Sequence, residues 1–103
     1  MAKQIILYNL APHVTDEQYQ EYVLNEKGPL FDSLPSVRKF ELVKITGSTK
    51  GETPFRYAGI VHIANLQEFL EKDAPSQRFQ EFLAKWSTMV SPDFETLFGE
   101  EIY

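Results

Sequence analysis

The chain has 103 residues, a length that suits one domain with a single core. A hydrophobic content of 43% favours a folded protein, and a net charge of -5 disfavours nucleic acid and anionic membrane surfaces as partners. The absence of cysteine excludes disulfides, thiolate zinc sites and a thiol nucleophile.

The chain begins with a predicted strand followed by a helix. Residues 3–9 alternate apolar side chains on both faces, with Ile6 and Tyr8 on one face and Ile5 and Leu7 on the other. The run VTDEQ at residues 14–18 is a capping box, which begins a helix. Tyr19, Tyr22, Val23 and Glu26 fall at helical spacing, so the two tyrosines line one stripe with Val23.

A glycine and a proline mark the end of that helix and lead to the second strand. Gly28-Pro29 breaks or re-aims the helix, and a short helical piece continues to residue 34. Residues 37–45 form strand 2, with Phe40 facing one side and Val37 the other. Residues 46–54 hold two glycines and a proline, which predicts a mobile hairpin loop.

The second half predicts a strand, a helix and a final strand. Residues 55–63 are apolar on both faces: Tyr57, Val61 and Ile63 point one way, and Ala58, Ile60 and His62 point the other. A short helix opens at the run NLQE of residues 65–68, and residues 73–75 interrupt it. Ser76 caps the main helix, and residues 94–103 supply the last strand. The apolar positions of the main helix follow the helical period: Phe79, Phe82, Leu83, Trp86, Met89 and Val90.

The order strand, helix, strand, strand, helix, strand predicts an α+β fold of one domain, residues 1–103. It is the ferredoxin-like βαββαβ arrangement, which lays both helices on one face of a four-stranded antiparallel sheet. The other face then exposes an apolar patch larger than a monomer normally leaves wet. We therefore predict a homodimer that pairs two helix-free faces into an α/β barrel. With neither a signal peptide nor an apolar run of about 20 residues, we expect a cytoplasmic protein with no membrane partner.

One stretch carries a resemblance to a known family. The run KGPLFDSLPSVRKF at residues 27–40 resembles the HGPL…LPGVRRY stretch of the EthD-like branch of the dimeric α/β-barrel superfamily, with Lys27 where that branch often has histidine. Over its whole length the chain is similar to the RedY-like proteins of prodiginine pigment biosynthesis. This resemblance implies a small cofactor-free enzyme, or an accessory protein, that acts on a pyrrole-containing intermediate of the bipyrrole pathway.

The resemblance also implies a ligand cavity between the sheet and its helices. Carried onto this chain, the cavity takes residues from three strands and the main helix: Gln4, Ile6, Tyr8, Phe40, Tyr57, Val61, Phe79, Leu83 and Trp86. The reaction implied is a cyclisation or condensation. Two alternatives stay open: a non-catalytic carrier of a hydrophobic intermediate, and a cofactor-free monooxygenase. The cyclase branch has a catalytic histidine at the start of its second long helix, and this chain has Ser76 there.

Three residues are candidates for the chemistry: Tyr8, His62 and Arg78. Tyr8 either hydrogen-bonds a bound pyrrole or is a core aromatic. His62 is either a base that faces the dimer barrel or a structurally satisfied histidine. Arg78 either binds a carboxylate or enolate or is a solvated surface residue. The residues form no metal constellation, and the main helix has no histidine to ligate haem, so we expect neither metal nor cofactor.

Overall fold

The sheet of the protein has four antiparallel strands. We describe a computed structural model that covers all residues from Met1 to Tyr103. The strands are β1 (Ala2–Tyr8), β2 (Val37–Lys44), β3 (Tyr57–Ile63) and β4 (Glu95–Glu100), and they lie side by side in the order β2-β3-β1-β4. The fold is therefore the predicted ferredoxin-like βαββαβ arrangement, with β1 and β3 in the centre of the sheet.

Each of the two connections that carry helices is interrupted by a π-helical turn. The first runs through α1 (Asp16–Tyr22), a π turn (Val23–Lys27) and α2 (Gly28–Ser33). The second runs through α3 (Leu66–Glu68), a π turn (Phe69–Asp73) and α4 (Gln77–Trp86). The predicted capping box of Thr15 and Gln18 is present, and Ser76 caps α4 by accepting a hydrogen bond from the Phe79 amide.

The first π turn changes which residue points inward. Glu26 falls at helical spacing from Tyr19 and Tyr22, but it is on the surface, where it accepts a hydrogen bond from Lys85, and Lys27 is buried instead. In a π turn the amide of residue i+5, here Gly28, bonds to the carbonyl of residue i, here Val23. The turn therefore holds one residue more than an α turn, and the inward position moves from 26 to 27.

The core between sheet and helices divides into two aromatic clusters. One surrounds Tyr8 and is made mainly of tyrosines with Trp86. The other, which we call the phenylalanine cluster, combines Phe31, Phe69 and Phe79 with three aliphatic side chains. Tyr8 stacks on Tyr57 with ring centroids 5.6 Å apart, and Phe31 stacks on Phe40 at 4.7 Å. The two clusters lie side by side under the helices and enclose the site described below.

The helix-free face carries the residues that alternation assigned to it. Ile5 pairs with Ile60 on one side and with Leu97 on the other, so these three side chains form a row. None of the three is fully buried, and Leu97 is 47% exposed. The prediction for Val37 was wrong: a bulge between Val37 and residue 39 turns the Val37 side chain toward the helices, where it packs on the phenylalanine cluster.

The second π turn ends at a buried acid, as the first ends at a buried base. Asp73 accepts hydrogen bonds from both the backbone amide and the hydroxyl of Ser36, the former at 3.0 Å. Ser36 lies in the turn before β2 and is itself buried. This contact ties the two helical connections together at one end of the sheet.

Candidate functional site

A cavity of about 660 Å³ lies between the sheet and the helices. Its size is in the range of small-molecule sites. Leu70, Leu83 and Phe94 line it and are partly exposed, so they mark the side that is open to solvent. The lining is mostly apolar and comprises Gln4, Ile6, Lys27, Phe31, Phe69, Leu70, Ala74, Phe79, Gln80, Phe82, Leu83, Ala84, Trp86, Ser87, Phe94 and Thr96.

Lys27 is the one charged side chain in this lining, and it is 1% exposed. Its Nζ donates hydrogen bonds to the phenol oxygens of Tyr19, at 3.1 Å, and Tyr8, at 3.3 Å. The two phenols are 2.5 Å apart, and Trp86 Nε1 donates to the Tyr19 oxygen at 3.0 Å. Lys27 forms no ion pair, and no further acceptor lies within hydrogen-bond distance of Nζ.

Aromatic rings surround the Lys27 amine. The centroids of five rings lie 5.1 to 5.9 Å from Nζ, close enough for their faces to attract a cation. The rings come from two strands and two helices: Tyr8, Tyr19, Phe40, Phe82 and Trp86. The fold thus encloses a basic group in an aromatic cage and gives it no carboxylate.

Burial sets the protonation of this group of residues. It lowers the pKa of the Lys27 ammonium to about 7, because the charged form loses its water. Burial, with the neighbouring phenol of Tyr19, raises the pKa of Tyr8 well above its ordinary value, and burial raises the pKa of Tyr19 to about 12. At neutral pH both phenols are therefore protonated, while Lys27 is divided between ammonium and amine.

A second polar cluster, formed by Tyr57, Asp16 and Lys44, contacts the ring of Tyr8 through Tyr57. Tyr57 stacks on Tyr8 and donates a hydrogen bond to Asp16 at 2.6 Å. Lys44 donates to the other oxygen of Asp16 at 2.8 Å. The Lys44 hydrogen bond, and then that of Tyr57, lowers the pKa of the Asp16 carboxyl below its usual value, and burial raises the pKa of Tyr57.

The predicted cavity residues fall into two groups. Five line the cavity: Gln4, Ile6, Phe79, Leu83 and Trp86. Three are packed in the layer behind it: Phe40, Tyr57 and Val61. Tyr8 does not line the cavity, but its hydroxyl contacts the Lys27 amine.

The other two candidates for the chemistry lie away from the cavity. His62 points to the helix-free face, where its Nε2 hydrogen-bonds to Glu41. Arg78 is on the surface and donates to the Ser33 hydroxyl at 2.7 Å. The structure therefore does not bring His62 or Arg78 together with Tyr8. His13 is exposed in the loop after β1.

Sequence reasoning missed Lys27 as a site residue. Two signals were available: it stands at the histidine position of the HGPL motif, and it lies eight residues after Tyr19, a spacing that can share one helix face. In an uninterrupted α-helix the helical spacing relates Glu26 to the two tyrosines, and this drew attention away from Lys27.

The fold and cavity define a class: a ferredoxin-like α+β domain with an aromatic-lined site between sheet and helices. None of its helices combines the length and apolar character needed to cross a membrane. The model of the family described as "REDY-like protein HapK" matches residues 2–102, and the chain belongs to that family. No curated protein matches the sequence.

Solved structures share the fold over nearly the whole chain. An ethyl tert-butyl ether d (EthD) family protein from Bacillus halodurans C-125 is 22% identical with a TM-score of 0.78, covering 99% of both chains. HapK from Hahella chejuensis is 22% identical with a TM-score of 0.80, covering 99% of this chain and 93% of that one. A dimeric ferredoxin-like protein of unknown function from Thermobifida fusca YX is 16% identical with a TM-score of 0.75, covering 97% and 90%.

Proposed function

We propose that this protein is a cofactor-free enzyme of prodiginine biosynthesis, which cyclises or condenses a pyrrole-containing intermediate in the cavity between sheet and helices. Family membership supports the pathway. The observation that carries the enzymatic role is the buried Lys27 side chain among the residues that line an apolar, ligand-sized cavity. A protein that only shelters an oily ligand has no need of a base with a pKa near neutrality, and such groups are common in active sites.

The chemistry follows from the Lys27 amine and the two phenols that contact it. Once protonated by the ligand, the Lys27 ammonium would donate a hydrogen bond to the carbonyl oxygen of the ligand and stabilise the enolate that has formed. The amine form of Lys27 would take a proton from an adjacent carbon, because its pKa matches the surrounding pH. Tyr8 and Tyr19 hold the amine in place by accepting its hydrogen bonds. The rings of Trp86 and Phe82 would stack on the flat pyrrole.

In this proposal the functional unit is a homodimer. The row of Ile5, Ile60 and Leu97 on the helix-free face leaves apolar surface that a second copy would cover. A dimeric structure of the same fold supports this assembly. His62 and Glu41 lie on that face and would meet the partner, so His62 would not contact the ligand in the cavity.

Turnover of the bipyrrole-pathway intermediate tests the proposal. The purified protein is incubated with the intermediate, and the product is followed by liquid chromatography and mass spectrometry. We expect product with the wild type and with Lys50→Met, a control at an exposed lysine in the β2–β3 loop, and at least about a hundredfold less with Lys27→Met. Tyr8→Phe should lower the rate about tenfold.

Each alternative function has its own outcome in the same assay. Binding of the intermediate without conversion by the wild type would make the protein a carrier and refute the enzymatic role. Uptake of dissolved oxygen in step with product would identify a cofactor-free monooxygenase instead of a cyclisation or condensation.

A further inference from the structure

The Lys27 amine has the surroundings of a nucleophile. A buried lysine usually has a carboxylate partner, because an unpaired buried charge is costly. The titratable groups that face Nζ are only two phenols, Tyr8 from β1 and Tyr19 from α1. The elements β2 and α4 contribute uncharged rings. No carboxylate in this environment fixes the side chain as an ammonium.

The free amine is therefore available near neutral pH. With a pKa of about 7, about half of the Lys27 side chains are uncharged at pH 7, whereas a lysine of ordinary pKa is uncharged in fewer than about one molecule in a thousand. Desolvated lysines of this kind form Schiff bases with carbonyl compounds.

We infer that Lys27 forms a covalent imine with the aldehyde group of a flat aromatic ligand held in this cavity. The cavity is apolar and backed by rings, which selects a flat aromatic body. Five ring centroids lie 5.1 to 5.9 Å from Nζ, and an aldehyde carbon, which carries a hydrogen, needs less space there than a ketone carbon with its second carbon substituent. The inference deepens the proposed function and rests on it for the ligand class.

The step is balanced without a cofactor. The Nζ lone pair attacks the aldehyde carbon, the carbonyl electron pair moves to oxygen, and a proton passes from nitrogen to that oxygen to give a carbinolamine. The Tyr19 phenol, 3.1 Å from Nζ, donates a proton to the hydroxyl as it leaves as water. Nitrogen gives up its second proton to restore the phenol through Tyr8, whose oxygen is 2.5 Å from that of Tyr19. One amine and one aldehyde thus yield one imine and one water.

Trapping with hydride tests the imine. The wild-type protein is mixed with pyrrole-2-carbaldehyde and cyanoborohydride at pH 7, and the labelled lysine is located by peptide mapping. We expect Lys27 to be labelled at least about tenfold faster than any other lysine, Lys50→Met to behave as wild type, and Lys27→Met to lose the fast label. The amount of imine at Lys27, formed without hydride and then reduced with borohydride, should rise several-fold from pH 6 to pH 8, as the amine loses its proton.

Binding of the aldehyde is measured separately, so that failure of the imine can be distinguished from failure of the proposed function. Trp86 is the single tryptophan and lines the cavity, so quenching of its fluorescence reports occupancy. Pyrrole-2-methanol, which lacks the carbonyl, is the matched ligand that binds without reacting. If the aldehyde quenches Trp86 and labels no lysine, or labels all lysines at similar rates, the imine is refuted and the proposed function stands. If neither probe quenches Trp86 and no label appears, both proposals fail.

Discussion

Replacing Lys27 by methionine should make the protein more stable near neutral pH. Methionine has a similar length and fills the aromatic cage with an apolar chain, whereas the lysine ammonium loses its hydration shell when it is buried. Burial lowers the pKa of Lys27 in the folded protein to about 7 from 10.5, so the folded state disfavours the proton that the unfolded chain keeps.

The size of the effect follows from that difference. Each tenfold change in proton affinity is worth about 1.4 kcal/mol, so burial of the charged form costs about 5 kcal/mol at pH 6. Loss of the two hydrogen bonds to Tyr8 and Tyr19 offsets about 2 kcal/mol of the gain. We expect Lys27→Met to raise the free energy of unfolding by about 2 to 4 kcal/mol at pH 6.

The change of wild-type stability with pH tests the direction of the effect of burying Lys27. Between pH 7 and pH 9 the unfolded chain binds more protons at Lys27 than the folded protein does, so the stability of the wild type should rise by about 2 kcal/mol across this range. In Lys27→Met this rise should be absent. The raised pKa of the buried tyrosines acts in the opposite direction above about pH 10, so the comparison ends at pH 9.

Urea denaturation followed by far-UV circular dichroism, at one fixed protein concentration, measures both quantities. Lys50→Met is the control and should follow the wild type at every pH. A Lys27→Met protein that is less stable than the wild type at pH 6, together with a wild type of constant stability from pH 7 to pH 9, would refute the reasoning. It would mean that the ring faces compensate the ammonium fully.

Three further predictions concern the rest of the fold. Ile60→Glu places a charge in the middle of the helix-free face and should convert a dimer into a folded monomer, as measured by analytical ultracentrifugation and circular dichroism. Asp73→Ala removes the acceptor of both hydrogen bonds from Ser36 and should lower the free energy of unfolding in urea by about 1 to 3 kcal/mol. Tyr57→Phe removes a donor to Asp16, so the pKa of Asp16, followed by NMR, should rise toward its ordinary value and stay below it. An unchanged Asp16 titration would contradict the last.

The fold could be predicted because its local signals are strong and agree with one another. The capping box at Thr15, the two apolar faces of β3 and the helical period of α4 each report a short-range preference that the tertiary structure keeps. Alternation along β3 also divided the residues correctly between the two faces of the sheet. The bulge at Val37 escaped prediction, because its cause is a change of pairing with β3 that no local pattern records.

The site was harder to predict than the fold, for two physical reasons. Alternation along a strand predicts which face of the sheet a side chain lies on, but whether it lines the cavity depends on where the helices leave a gap. Ile6 therefore lines the cavity, while Val61 lies in the layer behind it. Charged residues are also rarely buried, and Lys27 was therefore passed over. Its inward position depends on a π turn, which no local pattern of residues predicts.

The π turn at Val23–Lys27 also determines which charged side chain lies beside the cavity. Neighbouring residues 26 and 27 are an acid and a base, and an α-helix without the extra residue would direct the carboxylate inward and the amine toward water. Exchanging the two side chains, Glu26→Lys with Lys27→Glu, would leave composition and formal charge unaltered. It would nevertheless replace the amine beside the cavity by a carboxyl group. The sign of the charge beside the cavity thus depends on whether one helical turn forms α-helical or π-helical hydrogen bonds.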